Sequence, residues 1–258
     1  MNHKQFIIHT LSFFALCLSH SRLASAADLK EISQRGKLIV AVKDNLRPLG
    51  FRDAAGNPQG LEIDIARRLA EEILGRPNAA VLQPVANRDR LNVVLAGKVD
   101  LAIANVTSTA SRSRLVDFSA AYYLDGTALV TKDAAVKQHG DLVGKKVAVI
   151  KGSSTIAQVK FSLPNSKLVG VDSYTSALAL LESGNAAAFA ADASVLAGWV
   201  QEYPQYRLLP SRLSTAALCV VMPRGLQYEP LRSRVNQALA RWKAEGWLAQ
   251  RAAYWGLP

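Results

Sequence analysis

Cysteine and histidine are scarce in this chain, and both shortages narrow the chemistry. Two cysteines occur among 258 residues, Cys17 and Cys219, and Cys17 lies in an N-terminal apolar run. Once that run is removed a single thiol remains. One thiol cannot close an internal disulfide, so Cys219, inside the apolar stretch Ala216 to Met222, is expected to be buried and inert. Of the four histidines, His3, His9 and His20 fall within residues 1–26 and only His139 lies beyond them. No metal-ligand spacing appears, and neither a metal nor a cofactor is expected. Long apolar runs are missing too. The longest, Phe6 to Leu18, is about 13 residues and is interrupted by His9, short of the roughly 20 needed to span a bilayer. With Lys4 ahead of it and Ala24-Ser25-Ala26 after it, the run reads as an export signal, residues 1–26, cleaved near Ala26. A retained anchor is the competing reading. Leu16 before Cys17 argues against lipidation, which needs a small residue there.

Acidic charge is in short supply: 20 Asp and Glu face 31 Lys and Arg, a formal charge of +11. Residues 1–26 hold Lys4 and Arg22 and no acid, so cleavage lowers this by two, to +9. A basic chain can bind nucleic acid or anionic lipid. Here the basic residues are scattered, with pairs such as Arg67-Arg68 and Lys145-Lys146 as the tightest clusters. No helix carries a basic stripe interleaved with aromatics, so no nucleic-acid partner is expected.

What is present is alternation. Apolar strand-like runs at Lys37 to Val42, Val81 to Val85 and Val99 to Ala104 enclose two helical stretches. One is Leu61 to Leu74, with apolar residues every fourth position and Gly75 after it, and the other is Arg90 to Ala96. The pattern restarts beyond Thr127. Strands are predicted at Thr127 to Thr131, Lys146 to Ile150, Ala186 to Ala191 and Ala216 to Val221. Helices are predicted near Ile156–Phe161, Ser176–Glu182 and Ser194–Val200, with an amphipathic tail over Glu229–Gln250. The fold class is α/β: two lobes, each a mostly parallel sheet flanked by helices, joined by two hinge strands at Tyr123–Thr131 and Leu213–Met222. The expected limits are 27–123 with 215–258 for the first lobe and 124–214 for the second. Ligands in such sheets sit beyond the carboxyl ends of strands, which directs attention to Asn105, Ser153 and Asp192. The densest stretch is Gly97 to Arg112. A strand runs into Asn105, Thr107 and Thr109, with Arg112 following. A guanidinium pairs with both oxygens of a carboxylate, so this end suits a small acid better than a catalytic centre.

These motifs, taken in order, resemble the periplasmic amino-acid-binding proteins of ABC importers, family 3 of the bacterial extracellular solute-binding proteins, which share a fold with glutamate-receptor ligand cores. Arg47-Pro48-Leu49-Gly50-Phe51 is similar to the family's "PPFGF" loop and Gly60 to Ala66 to "GFDVDLA". Gly97 to Asp100 matches "GKVD", Thr107 to Arg112 matches "T-x-T-x-x-R", and Val116 to Ser119 with Tyr122-Tyr123 matches "VDFSxPYY". Gly184 to Asp192 keeps the spacing of "GxxDAxxxD", with Ala187 in place of its first Asp. The resemblance implies a venus-flytrap protein of the periplasm that captures an amino acid and delivers it to an ABC permease in the membrane, as a monomer and without catalysis. Two rivals stay open: an enzyme resembling the exported cyclohexadienyl dehydratases, and a ligand-binding partner of a separate sensor.

By the same resemblance Arg112 holds the ligand's α-carboxylate, the competing reading being a surface arginine beside Arg114. Thr107 offers its hydroxyl, or caps a turn. Asn105 contributes backbone. Ser153 and Ser154 present N–H groups at a helix start, or merely cap it. Asp192 pairs with the α-ammonium, or caps the next helix. Leu46 and Leu61 stand at ligand-facing positions where the family usually places aromatics, and Leu49 at another common aromatic position, so the usual aromatic clamp is expected to be missing. Lys43 and Arg47 are candidates for side-chain selectivity, leaning toward acidic or amide amino acids. Solvent-facing charge is the alternative for both.

Overall fold

The computed structural model describes residues 26–257, so the expected export signal lies outside the described residues apart from Ala26. The chain enters through α1 (Leu29–Arg35), closed at its start by a capping box between Asp28 and Glu31. β1 (Leu38–Val42) follows and is almost wholly buried, as a central strand covered on both faces must be. A small three-stranded meander comes next: β2 (Asn45–Leu46), β3 (Gly50–Arg52) and β4 (Pro58–Gln59). Residues 53–57 are the hairpin turn between β3 and β4, tied by Asp53, whose carboxylate accepts from the Ala55 and Asn57 N–H groups.

α2 (Leu61–Leu74) buries Leu61, Ile65 and Leu69 on one stripe, and Gly75 ends it in the left-handed region. β5 (Ala80–Pro84), the short α3 (Asn92–Leu95), β6 (Leu101–Ile103) and β7 (Asp117–Asp125) complete the first half. The predicted helix from Arg90 is thus shorter, and Arg90 instead closes a 3₁₀ turn over residues 87–89. The second half runs β8 (Thr127–Thr131), β9 (Lys146–Ile150), α4 (Thr155–Ser162), β10 (Lys167–Val171), α5 (Tyr174–Glu182), β11 (Ala188–Asp192), α6 (Ala193–Glu202) and β12 (Arg207–Leu208). β13 (Ala216–Met222), α7 (Glu229–Ala244) and α8 (Trp247–Tyr254) finish the chain. The amphipathic tail is two helices rather than one, broken at Gly246, whose φ of 75° ends the first.

The first sheet has the order β5-β1-β6-β13-β7 and the second β10-β9-β11-β8-β12. In each, three parallel strands are followed by one reversed strand and then an edge strand antiparallel to it. β13 lies antiparallel between β6 and β7 of the first sheet. β8 leaves β7 after the single residue Gly126 and joins the second sheet. A Cβ on Gly126 would lie 1.8 Å from the Ser214 carbonyl oxygen, so the two passages between the sheets touch there. Each sheet has its own apolar core. The first gathers β1, α2 and α7 around Leu101, Leu239 and Trp242, the second β11, α5 and α6 around Phe189 and Trp199. Among the described residues no helix is long and apolar enough to cross a membrane.

Candidate functional site

The carboxyl end of β6 builds one wall. Asn105 adopts a φ of 53°, a conformation that asparagine tolerates better than most residues. Its N–H donates to Glu62 Oε1 at 2.6 Å, and the Tyr122 hydroxyl donates to the same oxygen at 2.5 Å. Arg90 reaches in from the loop after β5. Its Nη1 donates to the carbonyls of Ala104, at 3.0 Å, and Asn105, and its Nε to Asn87 O at 2.9 Å. Two residues on, Thr107 forms a bridge with Leu218 of β13. Arg112 folds back so that Nη1 donates to Thr107 O at 2.8 Å. A guanidinium has five N–H donors, and this bond uses one.

The facing wall comes from the second sheet. β9 ends at Ile150, and Gly152, with a φ of 72°, turns the chain through Ser153 and Ser154 into α4. Ser154 makes no side-chain capping bond, and the Ser153 hydroxyl is buried without a partner. Neither therefore serves as a side-chain helix cap. β11 ends at Asp192, whose Oδ2 accepts from Asn105 Nδ2 at 3.1 Å. That bond joins the two walls directly. Tyr174 opens α5 on the same side. The walls enclose a cavity of about 690 Å³ lined by both sheets, within the usual size for a small-molecule site.

Burial pushes the Asp192 carboxyl above the ordinary carboxylate range, against the pull of Asn105 and of the Arg90 and Arg112 guanidiniums. Burial and the nearby Arg112 push Arg90 down. The Tyr174 hydroxyl is pushed up by burial and by Asp192. Asp125, at the end of β7, accepts from the Ser194 N–H and hydroxyl at the start of α6, and burial raises it to about 6. The arrangement can hold a carboxylate on the first wall and an ammonium on the second. Among the described residues no group of His, Cys, Asp and Glu is placed to hold a metal ion.

The cavity brings together Asn105, Thr107, Arg112, Ser153, Ser154 and Asp192. It does not reach the other four residues singled out from sequence. Leu46 and Leu61 are 4% and 0% exposed, and both pack into the first core instead of facing the cavity. Lys43 is buried and turns away, donating from Nζ to Val85 O at 2.8 Å. Arg47 is exposed and stacks over the Phe51 ring, 3.8 Å from its centroid. Arg90 and Tyr174 line the cavity although sequence reading passed over both. Arg90 was placed at a helix start and Tyr174 ahead of one. The loop after β5 is itself a strand carboxyl end, and that rule would have pointed to Arg90.

The glutamine-binding protein of Geobacillus stearothermophilus is 34% identical over 194 residues, 74% of either chain. The ABC transporter glutamine-binding protein GlnH of Bacillus subtilis is 26% identical over 257 residues, covering 94% of this chain and 93% of that one. Among solved structures, a solute receptor for L-cysteine from Neisseria gonorrhoeae superposes with a TM-score of 0.77 at 28% identity, covering 88% of this chain and 93% of that one. With its two-lobe architecture, and with the family model matching residues 38–258, the chain belongs to the bacterial extracellular solute-binding proteins, family 3.

Proposed function

We propose that this protein captures a free amino acid between its two lobes, outside the cytoplasm, and delivers it to an ABC permease without converting it. The observation that carries the reading is the placement of Arg112, in the turn after β6, and Asp192, at the end of β11, groups of opposite formal charge, on facing walls of one cavity. Arg112 takes the α-carboxylate and Asp192 the α-ammonium. Thr107, Asn105 and the N–H groups at Ser153 and Ser154 supply the remaining polar contacts. A ligand so held touches both lobes, and that differential contact favours closure. The lobe limits 27–123 with 215–258, and 124–214, belong to this proposal. They are supported by the chain passing between the sheets, among the described residues, at Gly126, just past the first limit, and in the segment before β13. So do export through residues 1–26 and a monomeric state. The glutamine named for two relatives is compatible with an acidic or amide ligand.

A thermal-shift screen of the twenty amino acids tests the reading. A true ligand at 100-fold its Kd stabilises the fold by about 2.7 kcal/mol. No shift with any of them sinks it. Turnover of prephenate or arogenate would replace it with the enzyme reading.

A further inference from the structure

Lysines that lie scattered in the sequence are gathered by the fold at one end of the second lobe. β9 and β10 run parallel and both begin there, with Lys146 and Lys167 as register partners at their first residues. Like charges side by side in a sheet repel each other, so an anion at this edge would relieve a cost. Lys160 sits in the last turn of α4, at the same end, and Lys137 in the loop after β8. All four are exposed, and their ammonium groups make no ion pair or hydrogen bond among the described residues. The nearby acids are already engaged. Asp133 pairs with Lys145 at 3.1 Å and Glu182 with Lys132 at 2.6 Å, while Asp141 accepts the Lys137 and Gln138 N–H groups. Glu202, at the end of α6, lies toward β12, the far edge of the sheet.

Two apolar side chains stand exposed among these lysines. Phe161, next to Lys160, is 86% exposed, and Val143 is 65% exposed. Backbone bonds bring their segments together: the Gly144 N–H donates to Asn165 O and the Lys167 N–H to Lys145 O, both at 2.8 Å. An exposed ring flanked by ammonium groups suits the boundary of an anionic bilayer, where lysines meet headgroups and the apolar group enters the interface. Nucleic acid fits this face less well, since a single strand is held on several stacking rings along a groove. The ligand cavity lies at the opposite strand ends. β9 reaches it at Ile150, roughly 13 Å along the strand from Lys146.

We propose that this end of the second lobe docks on an anionic phospholipid bilayer. The lysines meet the headgroups, Phe161 and Val143 enter the interface, and the cleft stays open. This goes beyond the capture reading and uses none of its residues.

Co-sedimentation of the chain from Ala27 onward with two kinds of vesicle tests this: phosphatidylcholine containing phosphatidylglycerol, and phosphatidylcholine alone. Binding is expected to the anionic vesicles only and should weaken as salt rises, because exposed charges are screened. Each lysine at such a surface is worth roughly fivefold in affinity, so the triple variant Lys146→Glu, Lys160→Glu, Lys167→Glu should lose on the order of a hundredfold. Gln at the same three positions serves if reversed charges disturb the sheet edge. Phe161→Ser should remove most of the binding that survives high salt. The triple variant Lys30→Glu, Lys37→Glu, Lys98→Glu makes the same change in net charge at exposed positions of the first lobe. It should bind nearly as the parent does, since charges farther than a Debye length from the surface are screened. Equal losses in the two triple variants overturn the inference, because net charge alone is then responsible. Equal binding to both kinds of vesicle, or to neither, overturns it as well. Tighter binding to a DNA duplex than to anionic vesicles, lost in the second-lobe variant, overturns lipid docking and makes the partner a nucleic acid. Capture in the cleft is decided separately, by the thermal-shift screen.

Discussion

In the proposed reading, Arg112 and Asp192 are each a single side chain whose loss would strand part of a bound zwitterion. Arg112 contributes one bond to its own loop, to Thr107 O, so Arg112→Ala should leave the protein folded. It should cost roughly 2–5 kcal/mol of ligand binding, because a desolvated carboxylate loses its charged partner. Near-normal affinity by calorimetry in a folded variant would remove Arg112 from the site. Asp192 adds a pH signature. Burial raises its pKa, so it takes up a proton at a higher pH than an exposed aspartate. The neutral form attracts an ammonium less. Affinity should therefore fall as pH drops through that raised value and should be flat above it until the ligand's own ammonium titrates. Asp192→Asn should weaken α-amino acids far more than the matching α-hydroxy acids and should flatten the acid limb of the profile. Equal losses for both ligand types would refute the assignment.

Within single elements, α2 and the start of α6 set the positions on which the site depends. Leu61 opens α2 and is fully buried in the first core. Leu61→Ala should lower stability by about 2–5 kcal/mol in a chemical-denaturation series. Because Leu61 does not line the cavity, it should do so with little change in ligand affinity for the fraction that remains folded. A large loss of affinity without a loss of stability would return Leu61 to the site. At the start of α6, Asp125 holds the Ser194 N–H and hydroxyl while burial raises its carboxyl to about 6. Its folded value lies above that of an unfolded aspartate, so the native state binds the proton more tightly between the two. By linkage this group lowers stability as pH rises from about 4 to about 6, and the penalty is fully present above that window. Asp125→Asn should remove this component of the pH dependence. Thermal melts at pH 4.5 and pH 7 that show the same trend in both proteins would refute it.

Across the whole molecule the two lobes touch in this structure. Asn105 donates to Asp192 across the cleft, and α6 packs against the Arg47–Pro48 loop at Gly198. A Cβ on Gly198 would lie 2.2 Å from the Arg47 carbonyl oxygen. Gly198→Ala should therefore obstruct closure while favouring the helix it sits in by up to about 1 kcal/mol. The expected outcome is a melting point equal to or above that of the parent, weaker ligand binding, and a radius of gyration by small-angle scattering that no longer shrinks with ligand. Parental affinity and compaction in the variant would show that this contact does not govern closure.

Much of this was legible from the sequence by itself. The strand–helix alternation, the 3.6-residue stripe of α2 and the ordered motifs from Gly60 to Asp192 fixed the two-lobe α/β class and the family. These are local patterns, because periodicity reports which face of an element meets a core. The strand-end rule likewise reached Asn105, Ser153 and Asp192, which line one cavity. Whether a given loop side chain turns inward or outward was not legible. Lys43 and Arg47 sit one and five residues beyond Val42, the end of β1, and sequence alone leaves both equally able to face a ligand. Tertiary structure turned one to the Val85 carbonyl and the other to the Phe51 ring. Arg90 reached the cavity because the Ala104 and Asn105 carbonyls, just beyond β6 and distant in sequence, accept its guanidinium. Tyr174 reached it because the second sheet carries α5 to the cleft. The sequence determined the lobes and the strand ends that meet between them. Only the packing of distant segments decided which charges those ends share, since orientation depends on partners that no local window contains.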